Sequence, residues 1–265
     1  MRSLLGGPRR RRGPPVVFPQ FISDIADQTM RAVMGDKEFE VIETITLTDK
    51  DLDSAVDVLA DGLHEIPLYT WLLGEHISDR SLRRWLAEIL VRPLLNAGCV
   101  LGSRREGRLV GILVFQPHDA ELSPDGKPPL TPPADFTVAA DVPGLRERVV
   151  ELLTSTRLAA PADDAVNLRI GIVAAGGERG GRAVTGMMRE VERFCIVASR
   201  PYYAWTGSES LRRYYTQVWG GASEFAVEDW NGVTMYGLVS DRPPRPRPAP
   251  DNPLATQRRS SSPIV

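Results

Sequence analysis

Residues 166–188 read VNLRIGIVAAGGERGGRAVTGMM. From Val166 to Ala174 the chain alternates, with Leu168, Ile170 and Ile172 on one side, which is the two-residue period of a half-buried strand. Gly176-Gly177-Glu178-Arg179-Gly180-Gly181 breaks that pattern at once. From about Arg182 to Ala198 the period becomes three and four, and Val184, Met187, Met188, Val191 and Cys195 share one face of a helix. A strand that passes through glycines into a helix makes an anion site. The first helical turn holds amide donors without helical acceptors, and the macrodipole adds partial positive charge there. Glycine lets the backbone come close to a phosphate, and Arg179 and Arg182 can add charge-assisted hydrogen bonds. The spacing is neither the Gly-Lys-Ser/Thr of a P-loop nor GxGxxG. On spacing alone the stretch is either an anion-binding turn or a plain connector.

The rest of the chain reads outward from this unit as alternating strands and helices. Upstream, Phe39 to Leu47 alternates as a strand, and Thr48 and Asp49 offer caps for a helix bearing Leu52, Ala55, Val56, Leu59 and Leu63. Pro67 is expected to end that helix. A second helix runs from about Ser78 to Leu95, with Leu82, Trp85, Leu86, Ile89 and Leu90 on one face, and stops at Asn96-Ala97-Gly98. Cys99–Ser103 and Leu109–Gln116 read as a hairpin joined by Arg104 to Arg108. Residues 117–135 read as a long Pro-rich loop, and Val142–Ala159 as a helix with Leu145, Val149, Leu152 and Leu153 on one side. Downstream, Pro201–Thr206 is a strand, and Ser208 or Ser210 caps a helix running to about Val218. Residues 222–228 and 233–239 are strands around Trp230-Asn231-Gly232, the strongest hairpin signal in the chain.

Composition sets the bounds. The chain has 265 residues, 42% of them hydrophobic and 25% charged, which is globular. A net charge of -2 gives no whole-chain argument for a nucleic-acid partner. Two cysteines outside any CxxC pattern exclude a disulfide framework, and three scattered histidines argue against zinc. No apolar run nears the roughly 18 residues of a membrane span. These features read as a cytoplasmic protein with no metal and no membrane partner. The ends differ from the middle. Residues 1–20 carry net +5, residues 241–265 net +3, and residues 21–240 therefore -10. The ends also hold half of the 22 prolines, so 1–36 and 241–265 read as disordered extensions around a single domain over 37–240 with an insertion at 117–165. The arginine-rich start is either solvated overhang or an arm for a nucleic acid or another anionic surface.

The order of elements resembles that of the GNAT acetyltransferases over about Phe39 to Val239. IVAAGGERGGRAVTGMM is similar to that family's Arg/Gln-x-x-Gly-x-Gly/Ala acetyl-CoA loop and the helix after it. SLRRYYTQVWGGASEF is similar to its asparagine, tyrosine, glycine-phenylalanine helix and strand. GLHEIPLYTWLLGE resembles the entry of the branch that contains puromycin acetyltransferase. The sequence also departs from the pattern. Arg179 stands where the loop has its central glycine, and Gly176 where it has Arg or Gln. Gly220 trails Tyr215 by five residues instead of four, and Ser208 or Ser210 replaces the asparagine.

The resemblance implies an α/β fold with a mixed, mostly antiparallel sheet of about six or seven strands, flanked by helices and splayed between the fourth and fifth strands. It implies acetyl-CoA as co-substrate, an amine acceptor, and acyl transfer by direct attack. Pantetheine would pair with the backbone of Ile172, Val173 and Ala174, and the pyrophosphate would sit on Gly177, Glu178, Arg179, Gly180, Gly181 and Arg182. A backbone amide near Ile172 would polarise the thioester carbonyl. Tyr215 would protonate the leaving thiolate, with Tyr214 as the alternative and aromatic packing as the plain reading of both. Glu65, His64 and Glu209 are candidates for the base. Tyr69 and Trp71 either wall an acceptor pocket or fill the core. Cys195 reads as packing. A homodimer is left open, and so is a binding module that keeps the fold without turnover.

Overall fold

A computed structural model of the chain describes residues 42–120, 139, 142–154, 156–173 and 178–246. Seven strands form one sheet in the order β1-β2-β3-β4-β5-β7-β6. They are β1 (Ile42–Thr46), β2 (Val100–Arg105), β3 (Arg108–Gln116), β4 (Val166–Val173), β5 (Tyr202–Thr206), β6 (Ala222–Trp230) and β7 (Val233–Ser240). Every neighbouring pair is antiparallel except β4 and β5, which are parallel. The α/β sheet expected from the sequence is thus present, with its one parallel pair in the middle.

The helices cover both faces of this sheet. α1 (Leu52–Gly62) and α3 (Arg80–Leu95) pack on each other and on β3, and α5 (Glu178–Ala198) packs across β1 to β5. In consequence β3 is buried at five consecutive positions, Gly111 to Phe115, rather than at every second one. Phe115 meets Phe194 of α5 with ring centroids 5.7 Å apart, and the Ser103 hydroxyl donates to the Ala183 carbonyl at 3.1 Å. Leu47, Leu59, Leu63, Ile112, Leu113, Met187 and Val191 fill the core, each at most 1% exposed.

Several boundaries differ from expectation, each for a local reason. α1 is entered through a short 3-10 turn at Asp49–Asp51, with Thr48 and Asp51 forming a capping box. It ends at Gly62, and Pro67 does not end it. Ile66 is extended, as a residue before proline prefers, and Pro67 then opens a further helix, α2 (Pro67–Leu73), at the position where its missing N–H costs nothing. Asp79 caps α3 by accepting from the Ser81 and Leu82 amides at 2.8 and 3.3 Å. Between β2 and β3 the turn is only Glu106-Gly107, both with positive φ, so Arg104, Arg105 and Arg108 belong to strands. Asn231-Gly232 closes the β6–β7 hairpin in the same way. α4 (Leu145–Thr154) stops five residues before the predicted Ala159. Residues 39–41 of the predicted first strand and 121–135 of the predicted loop lie outside the described residues.

Candidate functional site

The site is organised by a parting of two strands. β4 and β5 begin side by side, Val166 facing Tyr202 and Asn167 facing Tyr203, and the Val166 amide donates to the Pro201 carbonyl at 2.9 Å. Among the described residues no pair joins them after that. β3 holds β4 as far as Val173, and β7 holds β5 as far as Thr206. Each strand is fixed on its outer side and unpaired on its inner side. Such an inner edge offers N–H and C=O groups to another extended chain. Ile172 and Val173, expected to bind the pantetheine arm, lie on this stretch, opposite Ile112 and Gly111 of β3. Ala174 and Gly177 lie outside the described residues.

A bulge sits in the same stretch of β4. Phe115 faces Leu168 and Val114 faces Ile170, so Arg169 is an extra residue opposite none. Bulges turn backbone groups out of the ladder and re-aim a side chain. Arg169 is exposed, and its positive charge reaches two tyrosines from other elements, Tyr69 of α2 and Tyr203 of β5. Burial raises both phenol pKa values above the ordinary range, and Arg169 partly offsets this. Sequence reasoning missed Arg169 and Tyr203. The available signal was Gly171, since an isolated glycine inside a strand often marks a bulge.

At the far end of β4 the helix starts earlier than its hydrophobic period indicates. α5 begins at Glu178, so Glu178, Arg179, Gly180 and Gly181 are its first turn and not a loop before it. The amide donors assigned to a glycine loop therefore belong to the start of a 21-residue helix, where they lack helical partners and carry the positive end of the dipole. Arg182 follows in the next turn and is exposed.

Tyr215 comes from the other side of the parting. β5 ends at Thr206, and Ser208 caps α6 (Glu209–Arg213) by accepting from the Leu211 amide at 3.4 Å. Ser210 instead shares a hydrogen bond with the Ser208 hydroxyl at 2.8 Å. Tyr214–Val218 then continue as a π-helical turn. Tyr215 is 7% exposed. Burial holds the phenol pKa above its usual range, with neighbouring Tyr214 adding to the effect, so the group stays protonated. Tyr214 is half-buried and meets Tyr215 edge-on at 5.4 Å.

The residues considered as bases are peripheral. Glu65 and His64 have side chains 78% and 52% exposed, and they lie 3.9 Å apart. Glu209 pairs with Arg212 at 3.0 Å on the surface of α6. Tyr69 is buried, whereas Trp71 is half-buried with its ring perpendicular to Trp230 at 5.7 Å. The described part of the insertion closes over this end. Arg148 donates to the Leu72 carbonyl at 2.7 Å, Asn231 donates to Glu151 at 2.9 Å, and the Trp205 indole donates to the Ala159 carbonyl at 3.0 Å. Arg157 lies over the Trp230 ring at 5.6 Å.

Cys195 and Cys99 are buried, and desolvation pushes both thiols up to about 12, which favours the protonated thiol at neutral pH. A recess of about 410 Å³ lined by Glu192, Gly220, Gly221, Ser223 and Asp241 lies by the start of β6 and the end of β7, not in the parting. Among the described residues no three His, Cys, Asp or Glu side chains are grouped to hold a metal ion, and no helix is long and apolar enough to cross a membrane.

No family model and no curated protein matches the sequence. The fold, however, is shared with solved structures. A histone acetyltransferase HPA2 and related acetyltransferase from Corynebacterium glutamicum superposes with a TM-score of 0.53 at 12% identity, over 78% of this chain and 99% of that one. That overlap shows the fold to be GNAT-like. A ribosomal-protein-alanine N-acetyltransferase from Brucella melitensis overlaps with a TM-score of 0.43 at 16% identity, over 75% of this chain and 98% of that one. A PaiA N-acetyltransferase from Thermoplasma acidophilum in complex with coenzyme A gives 0.41 at 12%, over 76% and 98%.

Proposed function

We propose that this chain, built on a GNAT-like fold, is an acyl-CoA-dependent N-acyltransferase that moves an acetyl group from acetyl-CoA to a primary amine of a small molecule or peptide. The observation that carries this reading is the parting of β4 from β5 after Asn167 and Tyr203, with the start of α5 at its open end.

In this reading the diphosphate of CoA sits on the first-turn amides of α5, with Arg179 and Arg182 beside it. The pantetheine arm lies along the free edge of β4 and pairs with the backbone of Leu168 to Val173 as an added strand. A backbone amide, at Ile172 or at the bulge around Arg169, donates to the thioester carbonyl as negative charge builds on its oxygen. The amine nitrogen attacks the carbonyl carbon, a C–N bond forms and the C–S bond breaks. The amine loses a proton to a carboxylate, an imidazole or water. The departing thiolate takes the Tyr215 hydroxyl proton, which solvent restores. Holding both reactants in one cleft supplies much of the rate.

The amine enters from the end formed by α2, α4 and the β6–β7 turn. The net -10 of residues 21–240 favours a cationic amine as a steering effect. A second reading, a binding module without turnover, draws on Arg179 and Gly176, which replace residues of the resembling loop.

Calorimetry with acetyl-CoA, followed by CoA-thiol release in the presence of spermidine, tryptamine and a peptide amine, tests the reading. Binding and release support it. Binding with no release from any amine leaves the module, and no binding at high protein concentration refutes both.

A further inference from the structure

The helix that carries Tyr215 contains one residue more than the pattern it resembles, because Gly220 trails the tyrosine by five residues and not four. The fold absorbs that residue as a π turn. Glu209–Arg213 are α-helical, Tyr214–Val218 are π-helical, and the Trp219 amide donates to the Tyr214 carbonyl five residues back at 2.6 Å. π turns are rare, and occur as single-turn insertions that gather at functional sites. A wide turn of this kind needs support from outside the helix to keep one geometry.

Here the support is a buried acid on α5. Glu192 is 3% exposed, and its Oε1 accepts from the Trp219 indole Nε1 at 2.9 Å and from the Tyr202 hydroxyl at 3.4 Å. Trp219 is itself buried and stacks on Tyr214 with centroids 6.4 Å apart and planes 21° from parallel. Tyr214 in turn meets Tyr215 edge-on at 5.4 Å. A contiguous path therefore runs from the carboxyl group through Trp219 and Tyr214 to the tyrosine. The two anchors belong to the βαβ unit that makes the cleft: Glu192 stands on α5, and Tyr202 faces Val166 in one of the two pairs that join β4 to β5. A buried carboxyl group is costly unless hydrogen-bonded, so one held by an indole and a phenol marks a place where direction matters more than burial.

We propose that Glu192 is a positioning residue: through Trp219 it locks the π turn and so sets where the Tyr215 hydroxyl points. The proposal deepens the assignment of Tyr215 as proton donor and rests on it for its catalytic consequence, but its structural half can be read separately.

The test uses the full chain labelled with 3-fluorotyrosine, with the Tyr215 resonance assigned by its loss in Tyr215→Phe. Three variants are compared. Glu192→Gln keeps an oxygen that accepts from the indole. Glu192→Leu removes it. Trp219→Phe removes the donor and keeps a stacked ring. Glu192→Leu and Trp219→Phe are expected to shift or broaden the Tyr215 resonance. They are also expected to lower kcat for CoA-thiol release about tenfold with KM for acetyl-CoA within about twofold, as misplacement of a proton donor predicts. Glu192→Gln is expected to restore both readouts.

If Glu192→Leu does not fold, as its melting curve will show, Trp219→Phe carries the comparison. An unmoved Tyr215 resonance in Trp219→Phe overturns the proposal. So does Glu192→Gln that is as impaired as Glu192→Leu, or a loss that falls on KM. Failure of the parent reading looks different: Tyr215→Phe then leaves kcat unchanged while the fluorine resonance still responds to Glu192→Leu.

Discussion

Asn167 and Tyr203 are the last residues that β4 and β5 share. From this apex β4 runs on for six residues to Val173 and β5 for three to Thr206, each held only on its outer side. A sheet left open in its middle is unstable against closure unless both halves are pinned elsewhere. β3 and β7 do the pinning, and α5 connects the two arms. The Arg169 bulge and the start of α5 lie on the β4 arm, and the tyrosine helix follows the β5 arm.

Tyr215→Phe is expected to slow turnover about 10²-fold, in the range that a general acid contributes, while the Kd for CoA stays nearly unchanged. Because burial holds the Tyr215 phenol protonated above its usual range, the parent pH–rate profile should show no loss from this group at its ordinary pKa. Steady-state kinetics beside calorimetry checks both. An unchanged rate would remove the assignment.

Arg182→Ala is expected to weaken CoA binding about tenfold, the scale of one charge-assisted phosphate contact, with little change in melting temperature because the side chain is exposed. Arg179→Ala is expected to weaken CoA binding as well. Equal affinity across a salt titration would show that neither arginine reaches the phosphates.

Gly237→Ala tests packing on the far side of β7. A Cβ there would stand 2.7 Å from Phe225 Cζ and 3.0 Å from Trp205 Cη2, inside an edge-to-face pair whose centroids are 5.3 Å apart. The cost of such overpacking is about 1–3 kcal/mol, and Phe225→Leu in the same chain should recover part of it. Urea unfolding measures both; an unaltered midpoint for the single variant would contradict the packing.

Cys99 and Cys195 make a prediction with a definite sign. Burial raises both thiols from an ordinary value of 9.0 to about 12. Their contribution to stability is fully present below the unfolded value. It declines as pH climbs from 9 toward 12, because the unfolded chain then releases protons that the folded chain retains. Urea midpoints should therefore fall above pH 9. At pH 8 a thiol reagent should label the folded protein slowly and the unfolded protein fully. Rapid labelling without denaturant would mean that the two sites open.

Much of the candidate site was legible before any coordinates. Alternation of Leu168, Ile170 and Ile172 places β4, and the glycine run places the start of a helix near its end; of the two tyrosines considered as proton donor, Tyr215 is buried and Tyr214 half-buried. Glu178 to Gly181 read as loop from the sequence because glycines weaken helix propensity, whereas they form the first turn of α5. Pro67 was read as a stop, since a proline cannot say by itself whether it ends one helix or opens the next. Nothing local in the sequence singles out Arg169, Tyr203 or Glu192. A bulge, an apex and a buried carboxyl group are each defined by what stands opposite in space.

By itself the sequence determined the alternation of strands and helices, the turn chemistry of Asn231-Gly232, and the strand–glycine–helix unit, since these depend on periods and propensities within a few residues. Only the tertiary structure decided that β4 pairs with β5 for two residues and no more, and that an extra helical residue becomes a π turn beneath Glu192. The reason is physical: pairing, parting and hydrogen bonding between residues far apart in the chain are settled by competition among whole elements, and no local stretch of sequence records the outcome.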